Sequence, residues 1–490
     1  MAEDHLGRGT ILSLGAMAVA IFVVANDFTS LSVALPAIER TFHADVSTVQ
    51  WTINAYALGF GVLTVIGGRF ADQLGRRKVF VTGAAIFAGC SLVAALSPTV
   101  GVLIAARAVM AVGGALMWPA TLGMTYGLLP AARRGLAGGL ILGVVGLGNA
   151  AGPLVGGVLT DTLGWRWILG LNVPVAAVAV LVVLLLVPES RDEHAEHRVD
   201  WAGMAFLTGS LVALLLALDI VTTSSWSSPT VIGLLVGSAV LMAAVVVIER
   251  RTGPWALIPR EVAANRRFRA ALMAVLFMSM TFFTALVYLP QFMEKLLGLS
   301  ALNAGLGMLP LMAIFGASSF AAGRLYERLG GKRVVIAGAA CLPLAMLVLS
   351  LVTLRSGYLT LVPGMLLLGL GTGLFYSAVF TEAVSSLDPE RASLASGIIY
   401  MFQVAGGSVG LGIATTIVAS AAGAEARAGG RAGASFVRGL EETFRVSALL
   451  AAVGFVISLL WVGGSARSLA IPVAPPAPAP TQTAAAPELA

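Results

Sequence analysis

The 490-residue chain is short of charge. Asp, Glu, Lys and Arg make up 11% of it, against roughly 25% in an ordinary soluble domain, which excludes a soluble globular protein. Cysteine is scarce: Cys90 and Cys341 are the only two, and both fall inside apolar stretches, so neither a disulfide framework nor a thiolate metal cluster is on offer. The four histidines, His5, His43, His194 and His197, all lie outside those stretches. No His, Asp or Cys cluster with metal-ligand or nucleophile spacing stands at the end of an apolar stretch, which argues against a membrane-embedded enzyme, a metal site or a cofactor. Long hydrophilic segments are lacking as well. The longest basic one runs from 249 to 269, leaving no soluble domain of the kind a receptor appends, and no ring of charges suggests a channel. Lysine is nearly absent, at three residues against 27 arginines, which we read as the codon bias of a GC-rich genome.

What is abundant is apolar sequence. Hydrophobic residues form 58% of the chain, in runs of about 20 residues that are each long enough to cross a bilayer. Reading the runs as helices predicts fourteen spans, at 11–35, 51–68, 79–97, 100–122, 136–159, 167–187, 201–221, 229–248, 270–290, 303–322, 334–352, 357–380, 394–420 and 446–463. The first is too long for a cleaved signal peptide, lacks a basic leader and is followed by thirteen more. Segments on the side of the N-terminus hold 21 Lys and Arg, and those on the other side hold 8. That asymmetry predicts cytoplasmic termini on both ends. The net charge of +6 then reflects basic cytoplasmic loops and implies no nucleic acid. One segment breaks the rule locally: 421–445, read as a long exterior loop, carries Arg427, Arg431, Arg438 and Arg445.

An internal repeat organises the spans. Gly68-Arg-Phe-Ala-Asp72-Gln-Leu-Gly75-Arg76-Arg77-Lys78 follows the second span, and Gly323-Arg-Leu-Tyr-Glu327-Arg-Leu-Gly330-Gly-Lys-Arg333 follows the tenth. They match at Gly, Arg, Leu and Gly, with Asp facing Glu in the same register. The offset equals eight spans, so two six-span halves are separated by two extra helices. The expected organisation is an N-terminal segment 1–10, a half at 11–187, an inserted pair at 201–248, a second half at 270–463, and a Pro- and Ala-rich disordered cytoplasmic tail at 464–490. Both halves start from the same side, and parallel repeats of this kind build transporters with a substrate site between them near the midplane.

These residues resemble the major facilitator superfamily, and within it the fourteen-span drug:proton antiporters of bacteria. The resemblance covers all fourteen spans. It rests on the 68–78 loop, on Asp27-Phe-Thr-Ser-Leu-Ser-Val-Ala-Leu-Pro36 in span 1, on Arg107 in span 4, and on Gly148-Asn-Ala-Ala-Gly152-Pro153-Leu-Val-Gly156-Gly157 in span 5. Trp165-Arg-Trp167 with Asn172-Val-Pro174 also looks like the start of that family's sixth span. Two departures stand out: Met110 and Ala111 occupy positions where the family usually has Gln and Gly, and Ser32 replaces its Asn after Asp27. The resemblance implies an all-α polytopic major facilitator fold, with fourteen helices as 6+2+6, in the bacterial inner membrane. It further implies a monomer that exchanges protons for a small-molecule substrate.

Asp27 is the most informative residue, because a carboxylate inside a span is costly unless it faces a cavity, finds a partner or takes up a proton. It lies about eight residues, roughly 12 Å of helix rise, before the exterior end of span 1, and Arg107 reaches a similar depth in span 4. With no His in any span, Asp27 and Arg107 are the proton-coupling candidates; the competing reading is an ion pair that locks spans 1 and 4. Gly148, Gly152 and Gly156 recur every four residues and strip one helix face of side chains, and Pro153 adds a kink point. The family reading is that this motif, with Gly157, marks exporters and seals the path; plain helix packing explains it equally well. Gly406, Gly407 and Gly410 in span 13 are its candidate counterpart.

Gly68 and Gly75 permit a tight turn at the membrane face, and Asp72 can accept hydrogen bonds from cations or helix N-termini. Asp72 and the glycines, with Arg76, read as a conformational latch, while Arg76, Arg77 and Lys78 can equally serve only as topology signals. Asn26, Asn54, Tyr56, Trp118, Tyr376 and Gln403 are candidate contacts in a substrate cavity, although packing or interfacial roles would account for most of them. The functional expectation is a proton-coupled exporter of amphipathic or cationic compounds. The alternative is a transporter of the same fold for one physiological cargo, such as a siderophore, a lipid or an endogenous antibiotic.

Overall fold

In lipid, every backbone N–H and C=O must be satisfied within its own segment, and an apolar chain meets that demand by becoming helical. The computed structural model describes residues 7–44, 46–129, 134–191, 200–221, 224–252, 258, 260–427 and 432–462. Residues 1–6 and the tail at 464–490 lie outside the described residues. Among the described residues there is no strand. The helices are α1 (Arg8–Phe42), α2 (Val46–Leu74), α3 (Arg76–Ala95), α4 (Val100–Leu128), α5 (Arg134–Thr162), α6 (Arg166–Gly170), α7 (Asn172–Leu186), α8 (Trp201–Val221) and α9 (Pro229–Thr252). They continue with α10 (Arg260–Ala264), α11 (Arg266–Lys295), α12 (Ala301–Gly307), α13 (Leu309–Leu329), α14 (Gly331–Leu349), α15 (Tyr358–Ser385), α16 (Ala392–Arg427) and α17 (Ala432–Trp461).

Helices occupy all fourteen expected intervals. Among the described residues, eleven are long and apolar enough to cross a membrane on their own, and α5, bent by 41° between Gly139–Asn149 and Leu154–Thr162, makes a twelfth if its two parts count as one span. The apolar part of α8 is shorter, Trp201–Leu214, and α13 is diluted by Ser318, Ser319 and Arg324. The expected 421–445 loop is corrected: α16 runs on to Arg427 and α17 begins at Ala432. Glu441 and Arg445 form an ion pair one turn apart in this stretch, the spacing at which opposite charges support a helix.

Apolar side chains face outward to a degree water would not tolerate. Leu185, Leu351 and Leu359 are 73%, 69% and 80% exposed, as suits a surface solvated by lipid. Inside, α1 packs on α5 and α7, and α2 and α3 pack on α4; in the second half of the chain α11 packs on α16 and α17, and α13 and α14 pack on α15. The two groups meet where α2 touches α16 and where α5 touches α13. The α8–α9 hairpin, joined by Ser210 Oγ donating to the Ser238 carbonyl at 2.9 Å, leans on α2 and α16.

The sequence repeat returns as a backbone repeat. Gly75 and Gly330 end α2 and α13 with φ of 111° and 83°, a region that favours glycine. Each donates its N–H to the residue four before it, Gly75 to Ala71 at 3.2 Å and Gly330 to Tyr326 at 2.9 Å. Tyr126 and Thr381 are 255 residues apart, the repeat offset, and their hydroxyls lie 3.2 Å from each other. Repeat-related residues can touch only near the axis that relates the two halves, so this contact marks that axis. The end of the bundle with the α2–α3 turn, where Arg76, Arg77 and Lys78 stand, is its basic end.

Candidate functional site

The span-1 carboxylate finds its counter-ion. Arg107 Nη1 donates to Asp27 Oδ2, and both side chains are fully buried. The guanidinium is held from several sides: Nε donates to the Thr52 carbonyl of α2 at 2.9 Å, Nη1 approaches Met110 Sδ at 3.4 Å, and the Tyr56 ring lies 4.2 Å from its central carbon. Met110, where the family usually has Gln, thus offers a soft, weak acceptor. Nη2 has no hydrogen-bond acceptor among the described residues, and the face of Tyr56 attracts the cation instead. The other carboxylate oxygen, Oδ1, accepts from Asn172 Nδ2 at 3.1 Å. That same nitrogen donates to Ser91 Oγ at 3.1 Å, and Ser91 Oγ donates to the Leu169 carbonyl at 2.8 Å. Residues of α1, α2, α3, α4, α6 and α7 therefore converge on one carboxylate. At the repeat offset, Asp27 falls on Phe282 and Arg107 on Val362, so the charges belong to one half only.

The glycine motif packs on the helix that carries this carboxylate. A Cβ added at Gly148 would lie 2.9 Å from the Phe22 carbonyl oxygen, one at Gly152 would overlap Thr29 Oγ1, and one at Gly156 would lie 2.2 Å from the Ser30 carbonyl oxygen. All three glycines press α5 onto α1 on either side of Asp27. Gly157 is buried in the same helix; Pro153 belongs to it too, but its side chain lies outside the described residues. In α16, Gly406, Gly407 and Gly410 pack the same way on α11, against Leu276, Phe283 and Met280.

A second charged cluster stands at the basic end and joins the two halves. Asp72 Oδ1 accepts from Arg76 Nη2 at 3.0 Å and Nε at 3.1 Å. Across the interface, Asp72 Oδ2 accepts the backbone N–H of Leu394 at 2.8 Å and Oδ1 that of Ser393 at 3.3 Å; both N–H groups belong to the first turn of α16, where donors have no partner within the helix. Arg76 also donates to the carbonyls of Gly123 and Glu390, at 3.3 and 2.8 Å, and to Ser393 Oγ at 3.1 Å. Gly68 permits this approach, since a Cβ there would meet the Ser393 carbonyl oxygen at 2.5 Å. Gly75, the turn itself, lets Glu189 reach the start of α3, where its carboxylate accepts from the Arg77 and Lys78 N–H groups at 3.0 and 3.2 Å.

The expected cavity residues fall into different surroundings. Tyr56 lies under Arg107. Trp118 is buried against Phe60 and Tyr400, with ring centroids 5.8 and 4.8 Å away; Tyr400 comes from α16, so this cluster spans both halves. The Trp118 indole N–H and Asn26 Oδ1 are buried without a hydrogen-bond partner among the described residues. Tyr376 is fully buried, bonded to Ser279 at 2.8 Å, and belongs to an aromatic group with Phe282, Phe375 and Phe380. Asn54 and Gln403 are half-buried. Sequence reasoning missed Asn172 as a partner of Asp27, and Ser393, Leu394 and Tyr400 as partners across the halves. Asn172 alone had a signal, its place in the Asn-Val-Pro stretch.

Residues 17–411 match the family model described as Major Facilitator Superfamily. Among similar proteins is the puromycin resistance protein pur8 of Streptomyces alboniger, 33% identical over 90% of this chain and 88% of that protein. The tetracenomycin C resistance and export protein of Streptomyces glaucescens is 29% identical over 84% of this chain and 76% of its own. The drug efflux pump JefA of Mycobacterium tuberculosis is 30% identical, covering 85% and 81%. The human organic anion transporter MFSD10 shares the fold, with a TM-score of 0.64 at 16% identity over 92% of this chain and 99% of that one.

Proposed function

This chain belongs to the Major Facilitator Superfamily and is a polytopic membrane transporter, not an enzyme, and on that premise we propose that it is a proton-coupled antiporter. It exports amphipathic or cationic organic compounds across the bacterial cytoplasmic membrane by alternating access. The observation that carries this reading is the fully buried Asp27–Arg107 pair. An ionised carboxylate in a span needs a partner, and Arg107 supplies it. A proton arriving on Asp27 cancels that charge and loosens the pair, so loading and release of the proton change the contacts that hold α1 to α4. Two arrangements of one site, biased by a ligand, are what coupling requires.

The remaining parts of the proposal follow from the same frame. The two halves, 11–187 and 270–463, rock about the axis near Tyr126 and Thr381, with the pair at 201–248 inserted and fourteen crossings in all. The basic end faces the cytoplasm with both termini, and the Asp72–Arg76 cluster is the latch that closes it; the structure then corresponds to the cytoplasm-closed arrangement. The chain works as a monomer, and Asn26, Asn54, Tyr56, Trp118, Tyr376 and Gln403 contribute to the substrate path. The driving force suffices: one charge crossing 100 mV supplies about 2.3 kcal/mol, enough for roughly a 50-fold gradient per proton.

A second reading, a single physiological cargo such as an endogenous antibiotic, is favoured by relatives named for one compound, puromycin or tetracenomycin C. The test is ethidium efflux from an efflux-deficient bacterial host expressing wild type or Asp27→Asn, with and without a protonophore. Efflux that is protonophore-sensitive and lost in the variant is the expected result. Unaltered uphill efflux in Asp27→Asn would sink the coupling role, and no efflux by well-inserted wild type would favour the narrow cargo.

A further inference from the structure

Among the described residues, Asn172 is the one neutral side chain that donates to the Asp27 carboxylate, and its orientation is dictated by chemistry. Ser91 has committed its proton to the Leu169 carbonyl, so toward Asn172 its oxygen can only accept, and an ionised carboxylate can only accept as well. Both neighbours therefore demand the amide nitrogen, and both contacts are made by Nδ2. The amide is 4% exposed and Ser91 is fully buried, so water does not substitute for either partner.

We infer that Asn172 is the positioning residue that reads the charge of Asp27, donating to the carboxylate and, after a half-turn of its amide, accepting from the carboxylic acid. When a proton from water reaches Oδ1, that oxygen becomes a hydroxyl, a poorer acceptor for Nδ2–H and a donor that itself needs an acceptor. The turned amide then presents its oxygen, which accepts both the new Asp27 O–H and the Ser91 O–H. Ser91 thereby releases the Leu169 carbonyl, next to the break at Leu171 between α6 and α7. An amide is suited to this because it carries donors at one end and an acceptor at the other. Asp27 keeps its proton on Oδ1, and Oδ2 stays toward Arg107.

Among the described residues, the titratable groups that face Asp27 are Arg107 from α4 and Tyr56 from α2. Helix α7 contains no titratable residue, and Arg134 and Asp161 stand at the two ends of α5. Arg166 of α6 is turned to the Ser97 carbonyl at 3.1 Å, and Glu39 of α1 lies about 18 Å further along the helix.

This inference rests on the proton-coupling reading, and the experiment separates the two. The full-length protein is reconstituted in lipid, and the protonated-carboxyl band of Asp27, identified by its loss in Asp27→Asn, is titrated by infrared difference spectroscopy in wild type, Asn172→Leu and Ser91→Ala. Asn172→Leu removes a charge-assisted donor from the ionised form and only a weaker neutral bond from the protonated one. Its half-maximal proton concentration should therefore fall about tenfold. Ser91→Ala, which leaves the amide without the neighbour that orients it, should move the same way by less, and it decides the matter if the leucine variant fails to insert. A wild-type Asp27 band that titrates identically in the variants would overturn the inference and leave coupling intact. An Asp27 that never titrates would overturn both.

Discussion

Gly397 of α16 offers the sharpest test of the latch, because it touches none of the latch side chains. A Cβ at this position would lie 2.5 Å from the Thr64 carbonyl oxygen and 3.1 Å from the Val65 Cα, all backbone of α2. Backbone cannot swing aside, so relieving the overlap to an ordinary contact moves α2 and α16 apart by about 1 Å. The Asp72 Oδ2 to Leu394 N–H distance, 2.8 Å, would then exceed hydrogen-bond reach. Each charge-assisted bond contributes about 1.5 kcal/mol or more, so losing the two from Ser393 and Leu394 shifts the closed arrangement by about 3 kcal/mol, roughly a hundredfold in population. The assay is labelling of Thr381→Cys, a position buried at the axis, with a membrane-impermeant maleimide in inverted vesicles, after Cys90 and Cys341 are replaced by serine. Labelling should be slow with Gly397 and fast with Gly397→Ala. Equal protection in both, at equal membrane abundance, would refute the idea that this helix contact holds the basic end shut.

Other expectations are more direct. Asp27→Asn leaves the Arg107 guanidinium buried without a counter-ion, which should cost about 3–5 kcal/mol, seen as a lower melting temperature in detergent; adding Arg107→Met should recover stability without restoring transport. Asp72→Ala should lower efflux at normal membrane abundance, and unchanged transport would remove its latch role. Gly156→Ala, forced against the Ser30 carbonyl oxygen at 2.2 Å, should destabilise by about 1–3 kcal/mol, measured as a drop in melting temperature. Gly75→Ala should be the more damaging of the two turn substitutions, since its Cβ would also meet the Glu189 carboxylate at 2.7 Å, whereas Gly330 has open space there.

The placement of the helices was legible because lipid makes it a local rule: an apolar run must satisfy its own hydrogen bonds, so residue type and length suffice to place it. Where the chain mixed polar residues into that pattern, legibility failed. The segment 421–445, between two apolar runs, reads as a loop from composition, yet Glu441 and Arg445 sit one turn apart and belong to a helix. The fourteen intervals were readable while the number of true crossings was not, because α8 and α13 fall short in apolar length or content and α5 is bent.

At the site, the sequence by itself determined that Asp27 had to face a cavity, find a partner or take up a proton, and it placed Arg107 at similar depth; that the two meet was decided by the packed structure. The sequence also determined that Gly75 and Gly330 take corresponding turns, through the repeat. Only the tertiary structure decided which neutral groups complete the site. Asn172 and Ser91 are 145 and 64 positions from Asp27, and nothing in their spacing announces that one amide bridges them. Likewise, Asp72 could be read as an acceptor, but besides nearby Arg76 its donors are backbone N–H groups of Ser393 and Leu394, more than 320 residues away. Backbone donors carry no residue signature. Which helix end lies across from a given carboxylate is settled by how two bundles dock, and that is set by glycine-lined contacts, Gly68 on Ser393 and Gly397 on Thr64, whose partners only the packed structure reveals.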